Sequence, residues 1–171
     1  QALADLYTLR RHVGRLDGLT FAFVGDGNNV ARSLAVACSL LGMHFILAAP
    51  RNYQFDESFK QRIMTLAPQA HIEQTEDPVA AVKDAIAVYT DVWASMGQEK
   101  ERAIRKEAFG PFQVNAELMS NCPDAAFMHC LPARRGEEVT DEIIDGSQSI
   151  VVTQAANRMH LQKGLLAWLL G

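Results

Sequence analysis

The stretch LTFAFVGDGNNVARSLAVACSLLGMHFILAA, residues 19–49, decides the fold. It opens with an apolar run of aromatic and β-branched residues, turns at two glycines, and continues with helical periodicity as far as Gly42. A second apolar run follows. Two strands joined by a helix of this length must run parallel, because the crossover returns the chain to the same end of the sheet. The stretch therefore predicts a strand, helix, strand unit in a parallel sheet.

The same alternation of apolar strands and periodic helices continues through the rest of the chain. A helix is expected over residues 1–14, ahead of the first strand, and a last helix from about Ala155 to Leu170. Further predicted strands are HIEQT (71–75), AIAVYT (85–90), AAFMHC (125–130) and SIVV (149–152), and further helices are DESFKQRIMTLA (56–67), PVAAVKDA (78–85) and EKERAIRKEAFG (99–110). The predicted fold is a doubly wound α/β sheet of five or six parallel strands, a Rossmann-like three-layer sandwich, in one domain over residues 1–171.

Composition excludes several classes of protein. The 171 residues are 49% hydrophobic, carry a formal net charge of −4 and contain no broad basic face, so neither disorder nor nucleic-acid binding is expected. No apolar run approaches the roughly 18 residues of a membrane span, and no signal peptide is recognisable. Three cysteines without CxxC spacing predict reduced thiols, no zinc site and a cytoplasmic protein.

Polar residues follow several predicted strands at their carboxyl ends, which is where open parallel sheets bind ligands. These segments are Gly25–Asn29, residues 91–98, His129–Pro132 and the pair Asn157–Arg158. Because they share one edge of the sheet, the sequence predicts a single pocket there.

The first of these segments, FVGDGNN, puts two glycines at a strand-to-helix turn that faces a helix N-terminus. A dinucleotide site is disfavoured, because Val30 replaces the third glycine and the second strand ends in AAPRNY without an acid. We expect Asn29 to contact a ligand and Asn28 to cap the helix.

The second segment, TDVWASMGQE, combines a carboxylate, a tryptophan, a serine and a glycine, as in a loop that closes over a ligand. The alternative is structural. In that reading Trp93 and Met96 pack inward, and Asp91 and Ser95 cap the next helix.

In the third segment, HCLPARRGEEV, successive side chains at a strand end point to opposite faces, so His129 and Cys130 are not expected to bond each other. His129 alone is typical of a core histidine, and Cys130 alone of an inert buried thiol. The Leu131–Pro132 bond is a candidate cis peptide. Arg158, near the start of the last helix, is either a solvated charge or a partner for an anion.

The four segments FVGDGNN, TDVWASMGQE, MHCLP with EEVTDE, and NRMHLQK occur in this order, and together they resemble the ornithine carbamoyltransferase family. The Ser95–Gly97 triplet SMG resembles the ornithine enzymes rather than their aspartate, putrescine or acetylornithine relatives. The resemblance covers nearly the whole chain.

The resemblance implies transfer of a carbamoyl group from carbamoyl phosphate to L-ornithine, without a metal or organic cofactor. It implies Asp91 and Cys130 as catalytic residues. The implied ornithine contacts are Asn29, Asp91, Ser95 and Met96, and the implied carbamoyl phosphate contacts are Gln1, Cys130, Leu131 and Arg158.

The family's serine-threonine-arginine motif, which grips phosphate in the N-terminal domain, is absent, so the resemblance is to the C-terminal half only. It implies that helices 1–14 and 155–171 pack toward a missing N-terminal domain, that a homotrimer forms, and that this half is inactive alone. Three alternatives stay open: an aspartate-type carbamoyltransferase, an NADP-linked oxidoreductase suggested by the glycine turn and Arg51, and a non-catalytic binding module.

Overall fold

A five-stranded parallel sheet with strand order β3-β2-β1-β4-β5 forms the centre of the computed structural model, which describes residues 1–94 and 99–171. The strands are β1 Thr20–Val24, β2 His44–Ala48, β3 His71–Thr75, β4 Ala85–Thr90 and β5 Ala126–His129. The chain moves outward from β1 to β3 and then returns to β4, beside β1. Strand order therefore reverses between β1 and β4, which is where a doubly wound sheet opens a crevice.

Several helices begin at a short polar side chain that caps them. Asn28 accepts hydrogen bonds from the backbone N–H groups of Val30 and Ala31, and Asp77 caps a short helix that has proline at its first position. The helices are α1 Ala2–Val13, α2 Asn29–Leu40, α3 Glu57–Leu66, α4 Pro78–Val82, α5 Arg102–Phe109, α6 Ala116–Met119, α7 Asp141–Ile144 and α8 Val151–Leu170, with 3-10 turns at Arg51–Tyr53, Glu99–Glu101 and Gly110–Phe112.

Each face of the sheet carries its own apolar core. Phe21 and Phe23 of β1 join Tyr89 of β4 on the face covered by α1, α2 and α3, with ring centroids 5.5–6.0 Å apart. Ala22 and Val24 point to the other face, against α4 to α7. This alternation produces the three-layer sandwich, and the predicted doubly wound α/β class is confirmed.

The prediction of a strand at SIVV is wrong, and the sheet has five strands. Ser149 makes one bridge to Phe127, and the backbone N–H of Ile150 donates to Phe127 O at 3.0 Å, before α8 begins at Val151. Val151 enters the core while Val152 is 80% exposed. The β-branched run suggested a buried strand, but in the folded protein it forms one isolated β-bridge, between Ser149 and Phe127, and then continues as a helix. The last helix consequently starts four residues earlier than predicted.

Among residues 1–94 and 99–171, none of the helices has both the length and the apolar character that crossing a membrane requires.

Candidate active site

Three loops at the carboxyl edge of the sheet surround a cavity of about 480 Å³ beside the reversal between β1 and β4. Its lining includes Asn29, Asp91, Ala94, Pro132 and Arg134. A larger groove of about 560 Å³ lies between α1 and the end of α2, and neither Asn29 nor Asp91 lines it. The chemistry therefore identifies the smaller cavity as the candidate site.

Asp91, on the wall of this cavity, contacts the thiol of Cys130, although 39 residues separate them. The thiol donates to Oδ1 of Asp91, with Sγ 3.0 Å from the oxygen. The backbone N–H of Val92 also donates to Oδ1 at 2.8 Å, and Nδ2 of Asn28 donates to Oδ2 at 3.0 Å. Asp91 is only 8% exposed, so three donors hold a mostly buried carboxylate in one orientation. Within residues 1–94 and 99–171, the Asp91 carboxylate accepts from these three donors and does not cap the following helix, contrary to the structural alternative.

Burial, the charge of Asp91 and the hydrogen bond to it together raise the pKa of the Cys130 thiol. The thiol therefore stays protonated near neutral pH and acts as a hydrogen-bond donor. Cys38, by contrast, is fully buried in the apolar core. Cys130 differs from an inert core cysteine because it contacts a carboxylate at a cavity.

The glycine turn packs against the protein's own backbone. Gly27 donates its N–H to Tyr53 O at 2.8 Å, and a Cβ built on Gly27 would lie 2.7 Å from that oxygen. Gly25 has φ 147°, a backbone conformation that residues with a side chain rarely adopt. The space beside Gly27 is therefore filled by the backbone of Tyr53.

Asn28 caps the helix as predicted, whereas the ligand contact of Asn29 stays a prediction. Asn28 caps α2 and also donates to Asp91, a second contact that the sequence did not reveal. Asn29 is exposed and lines the cavity with Asp91.

Arg105 of α5 was not foreseen as a site residue. Its Nη1 donates to Oδ2 of Asp26 at 2.6 Å and to Trp93 O at 3.0 Å, and its Nε donates to Glu101 at 3.0 Å. The guanidinium lies 4.9 Å from the Tyr53 ring centroid. Arg105 thus ties the glycine turn to both sides of segment 95–98. The spacing of Glu101 and Arg105 in the sequence indicates a helical ion pair, but nothing local indicates Asp26.

A second buried network joins α1 and α8 to the sheet. Asp5 is fully buried and accepts hydrogen bonds from Nε2 of Gln1 at 2.6 Å, Nε2 of Gln154 at 2.7 Å and the Tyr89 hydroxyl at 3.1 Å. Burial raises the pKa of Asp5, and these donors oppose the rise. Gln154 in turn accepts from the backbone N–H of His129 at 3.0 Å. This network was also missed by the sequence analysis.

The remaining predicted residues fall in different places. Gln1 is exposed and lines a small cavity together with Asn29. Leu131 is partly buried in the turn after β5, and its bond to Pro132 is cis, as expected. Arg158 is exposed at the end of the second turn of α8, not near its start, because α8 begins earlier than predicted. Ser95 and Met96 lie outside the described residues.

Asp91, His129 and Cys130 are the group in this region that could hold a metal, with donor atoms within 4.8 Å of one another. Both ring nitrogens of His129 already have partners, since Nδ1 accepts from the Leu131 N–H and Nε2 contacts Glu138. The Cys130 thiol likewise has Asp91. Hydrogen bonding within the protein therefore accounts for the arrangement.

A parallel α/β sheet whose strand-order reversal carries a carboxylate and a thiol defines a small-molecule-binding domain of the doubly wound class. The family model for the aspartate/ornithine carbamoyltransferase, Asp/Orn binding domain, matches residues 17–169, and the chain belongs to this family.

Similar proteins agree with this family. The chain is 50% identical to an ornithine carbamoyltransferase of Thermococcus kodakarensis over 100% of its own length and 55% of the relative's. A Listeria monocytogenes ornithine carbamoyltransferase is 52% identical over 99% of this chain and 55% of its own. The solved ornithine carbamoyltransferase of Pyrococcus furiosus superposes with a TM-score of 0.90 at 50% identity, covering 97% of this chain and 54% of that one. The chain spans about half the length of the curated relatives it matches.

Proposed function

We propose that this chain is the ornithine-binding half of an ornithine carbamoyltransferase, which transfers the carbamoyl group of carbamoyl phosphate to the δ-amine of L-ornithine. The products would be L-citrulline and phosphate. The observation that carries the proposal is the 3.0 Å contact between Asp91 and Cys130 at the cavity beside β1 and β4. The names of the relatives support the choice of substrates.

Asp91 would bind the δ-ammonium group of ornithine. An alkylammonium has an unperturbed pKa of about 10.4, so it reaches the site charged and must lose a proton before it can attack. The carboxylate, held by Asn28 and Val92, offers a fixed acceptor for that ammonium. Asn29, on the cavity wall, is proposed to contact ornithine as well, and so are Ser95 and Met96.

Cys130 would act as a neutral thiol. Because its raised pKa keeps the proton on sulfur, it is better suited to donate a hydrogen bond than to remove a proton. We propose that it fixes the carboxylate of Asp91 and lines the reaction centre together with Leu131. The amine nitrogen then bonds to the carbamoyl carbon as the bond from that carbon to the phosphate oxygen breaks. Two protons leave the nitrogen in all: the ammonium releases one to solvent before it attacks, and the second leaves with phosphate.

Gln1 and Arg158 are proposed to contact carbamoyl phosphate. Gln1 is held by Asp5 and lies beside Asn29, which favours a role at this edge of the sheet. Arg158 is exposed on α8 and available to an anion brought by another part of the protein. Both roles rest on the family resemblance.

The remaining half of the relatives' length would supply the other wall of the site. Leu3 and Tyr7 of α1 and Leu165, Leu166 and Trp168 of α8 are apolar and 40–78% exposed, which supports packing of these helices against an N-terminal domain. A homotrimer and activity only in the complete protein are further parts of the proposal.

A cytoplasmic enzyme of arginine biosynthesis fits two observations. All three cysteines are unpaired thiols, as expected in a reducing compartment. A Pyrococcus furiosus relative, 49% identical to this chain, is named as the anabolic ornithine carbamoyltransferase.

The proposal is tested by supplying the complete protein with carbamoyl phosphate and either L-ornithine or L-aspartate. We expect citrulline from ornithine and no carbamoyl aspartate. Carbamoyl aspartate as the main product would replace the proposal with an aspartate-type enzyme. Titration with NADP, followed by tryptophan fluorescence, should show no binding, because Gly27 is closed by Tyr53 and Arg51 contacts Glu76.

A further inference from the structure

The pair formed by His129 and Glu138 lies directly beneath the turn that carries Cys130. Both side chains are fully buried, and Nε2 of His129 is 3.2 Å from Oε1 of Glu138. A buried carboxylate is costly to desolvate unless its partners are well placed, so such a pair contributes little to stability on balance. We therefore explain the pair by the backbone groups that it holds in place.

The hydrogen bonds fix the tautomer of His129. The backbone N–H of Leu131 points at Nδ1 with a distance of 2.8 Å, and an N–H can only donate, so Nδ1 must be the acceptor. The ring proton therefore sits on Nε2 and is donated to Glu138. In this state the neutral imidazole links the Glu138 carboxylate to the Leu131 backbone.

Glu138 also holds the far end of the same turn. Its Oε1 accepts the backbone N–H of Arg134 at 2.5 Å, in addition to Nε2 of His129. One carboxylate oxygen thus restrains residue 131 through His129 and residue 134 directly. Leu131 has φ 57°, in the left-handed region that a leucine rarely adopts, and such a conformation persists only where surrounding contacts impose it.

The restrained turn bears the residues of the candidate site. Cys130 precedes Leu131 and donates to Asp91, while Pro132 and Arg134 line the cavity. We propose that His129 and Glu138 are positioning residues, which hold the 130–134 turn so that the Cys130 thiol faces Asp91. Neither residue needs to touch a substrate. For catalysis this inference rests on the proposed function.

Paired substitutions in the complete protein separate the hydrogen bond between His129 and Leu131 from the hydrogen bond between His129 and Glu138. His129→Asn keeps an acceptor near the position of Nδ1 but is too short to reach Glu138, whereas His129→Gln keeps a donor toward Glu138 and offers no acceptor to Leu131. Glu138→Gln keeps the oxygen that serves both donors, and Glu138→Ala removes it. Glu142→Ala, at an exposed glutamate of α7, is the matched control.

The first measurement is the rate at which iodoacetamide alkylates Cys130 in the native protein, followed by mass spectrometry, with Cys122 as internal reference. We expect at least a fivefold faster reaction in Glu138→Ala and His129→Gln, a smaller increase in His129→Asn, and rates near wild type in Glu138→Gln and Glu142→Ala. A general loosening of the fold would accelerate Cys122 as well, and this result would overturn the proposal. Equal Cys130 rates in all variants would also overturn it.

The second measurement is the kinetics of citrulline formation at a temperature where each variant is folded by circular dichroism. We expect kcat to fall at least tenfold in Glu138→Ala and to recover largely in Glu138→Gln. If Glu138→Ala does not fold, the alkylation rate and kcat of His129→Gln are compared with those of His129→Asn instead. The larger change in both quantities is expected in His129→Gln. If the wild-type protein makes no citrulline, the proposed function fails while the alkylation rates still decide the positioning role.

Discussion

Replacing Asp91 by asparagine tests the carboxylate on which the proposed chemistry depends. Asp91 accepts from Val92 and Cys130 at Oδ1 and from Asn28 at Oδ2. An amide has a single acceptor oxygen, so Asp91→Asn leaves one of these donors facing an N–H group. An unsatisfied buried donor costs about 1–3 kcal/mol of folding free energy. We therefore expect a lower but measurable melting temperature.

The effect on ornithine should be larger and specific. A hydrogen bond to a charged group contributes roughly 1.5–3 kcal/mol, and each 1.36 kcal/mol changes a rate tenfold, so kcat/KM for ornithine should fall about 10-fold to 150-fold. The KM for carbamoyl phosphate should change far less. Asp124→Asn, at an exposed aspartate before β5 on the opposite edge of the sheet, is the matched control and should leave both constants unchanged. Initial rates of citrulline formation by folded protein give these values, and an unaltered kcat/KM for ornithine would mean that the Asp91 carboxylate does not bind the substrate amine.

Four further predictions concern this residue and its neighbours. Asp91→Asn should accelerate alkylation of Cys130 at pH 8 severalfold, because removing the adjacent negative charge lowers the raised pKa of the thiol; an unchanged rate would mean that the two groups are not coupled. Cys130→Ser should retain more citrulline formation than Cys130→Ala, since a hydroxyl can still donate to Asp91, and equal activities would count against the donor role. Arg105→Met should reduce the free energy of unfolding in urea by about 3–5 kcal/mol, because it strands the Asp26 carboxylate, and a loss under 1 kcal/mol would contradict this. Gly27→Ala should cost about 1–3 kcal/mol in the same assay, owing to the clash with Tyr53 O.

Local patterns in the sequence were sufficient for the architecture and for the meeting of Asp91 with Cys130. Alternating strands and helices leave only a parallel sheet, and both residues directly follow the ends of strands that turn out to be neighbours, β4 and β5. The rule that ligands bind at the carboxyl edge then places the two side chains together. Periodicity and topology predicted one shared pocket, whereas the choice of Asp91 and Cys130 as its reactive pair came from the resemblance to the ornithine carbamoyltransferase family.

Contacts between distant segments were not predictable in this way. Arg105 pairs with Asp26 across 79 positions, and Asp5 meets Gln154 across 149, and no spacing in the sequence signals such partners. The wrong sixth strand has the same origin, since Val151 and its β-branched neighbours satisfy a strand pattern locally while packing makes them a helix. Arg158 was misplaced along the helix as a consequence.

A crystal structure of the complete protein with L-ornithine bound would show whether Asp91 binds the δ-nitrogen of the substrate. We expect the δ-nitrogen within about 3.2 Å of a carboxylate oxygen of Asp91, in the cavity that Asn29 and Pro132 line, with the Cys130 thiol still against Asp91. Ornithine bound elsewhere on the domain, or bound here with its δ-nitrogen turned away from Asp91, would contradict it.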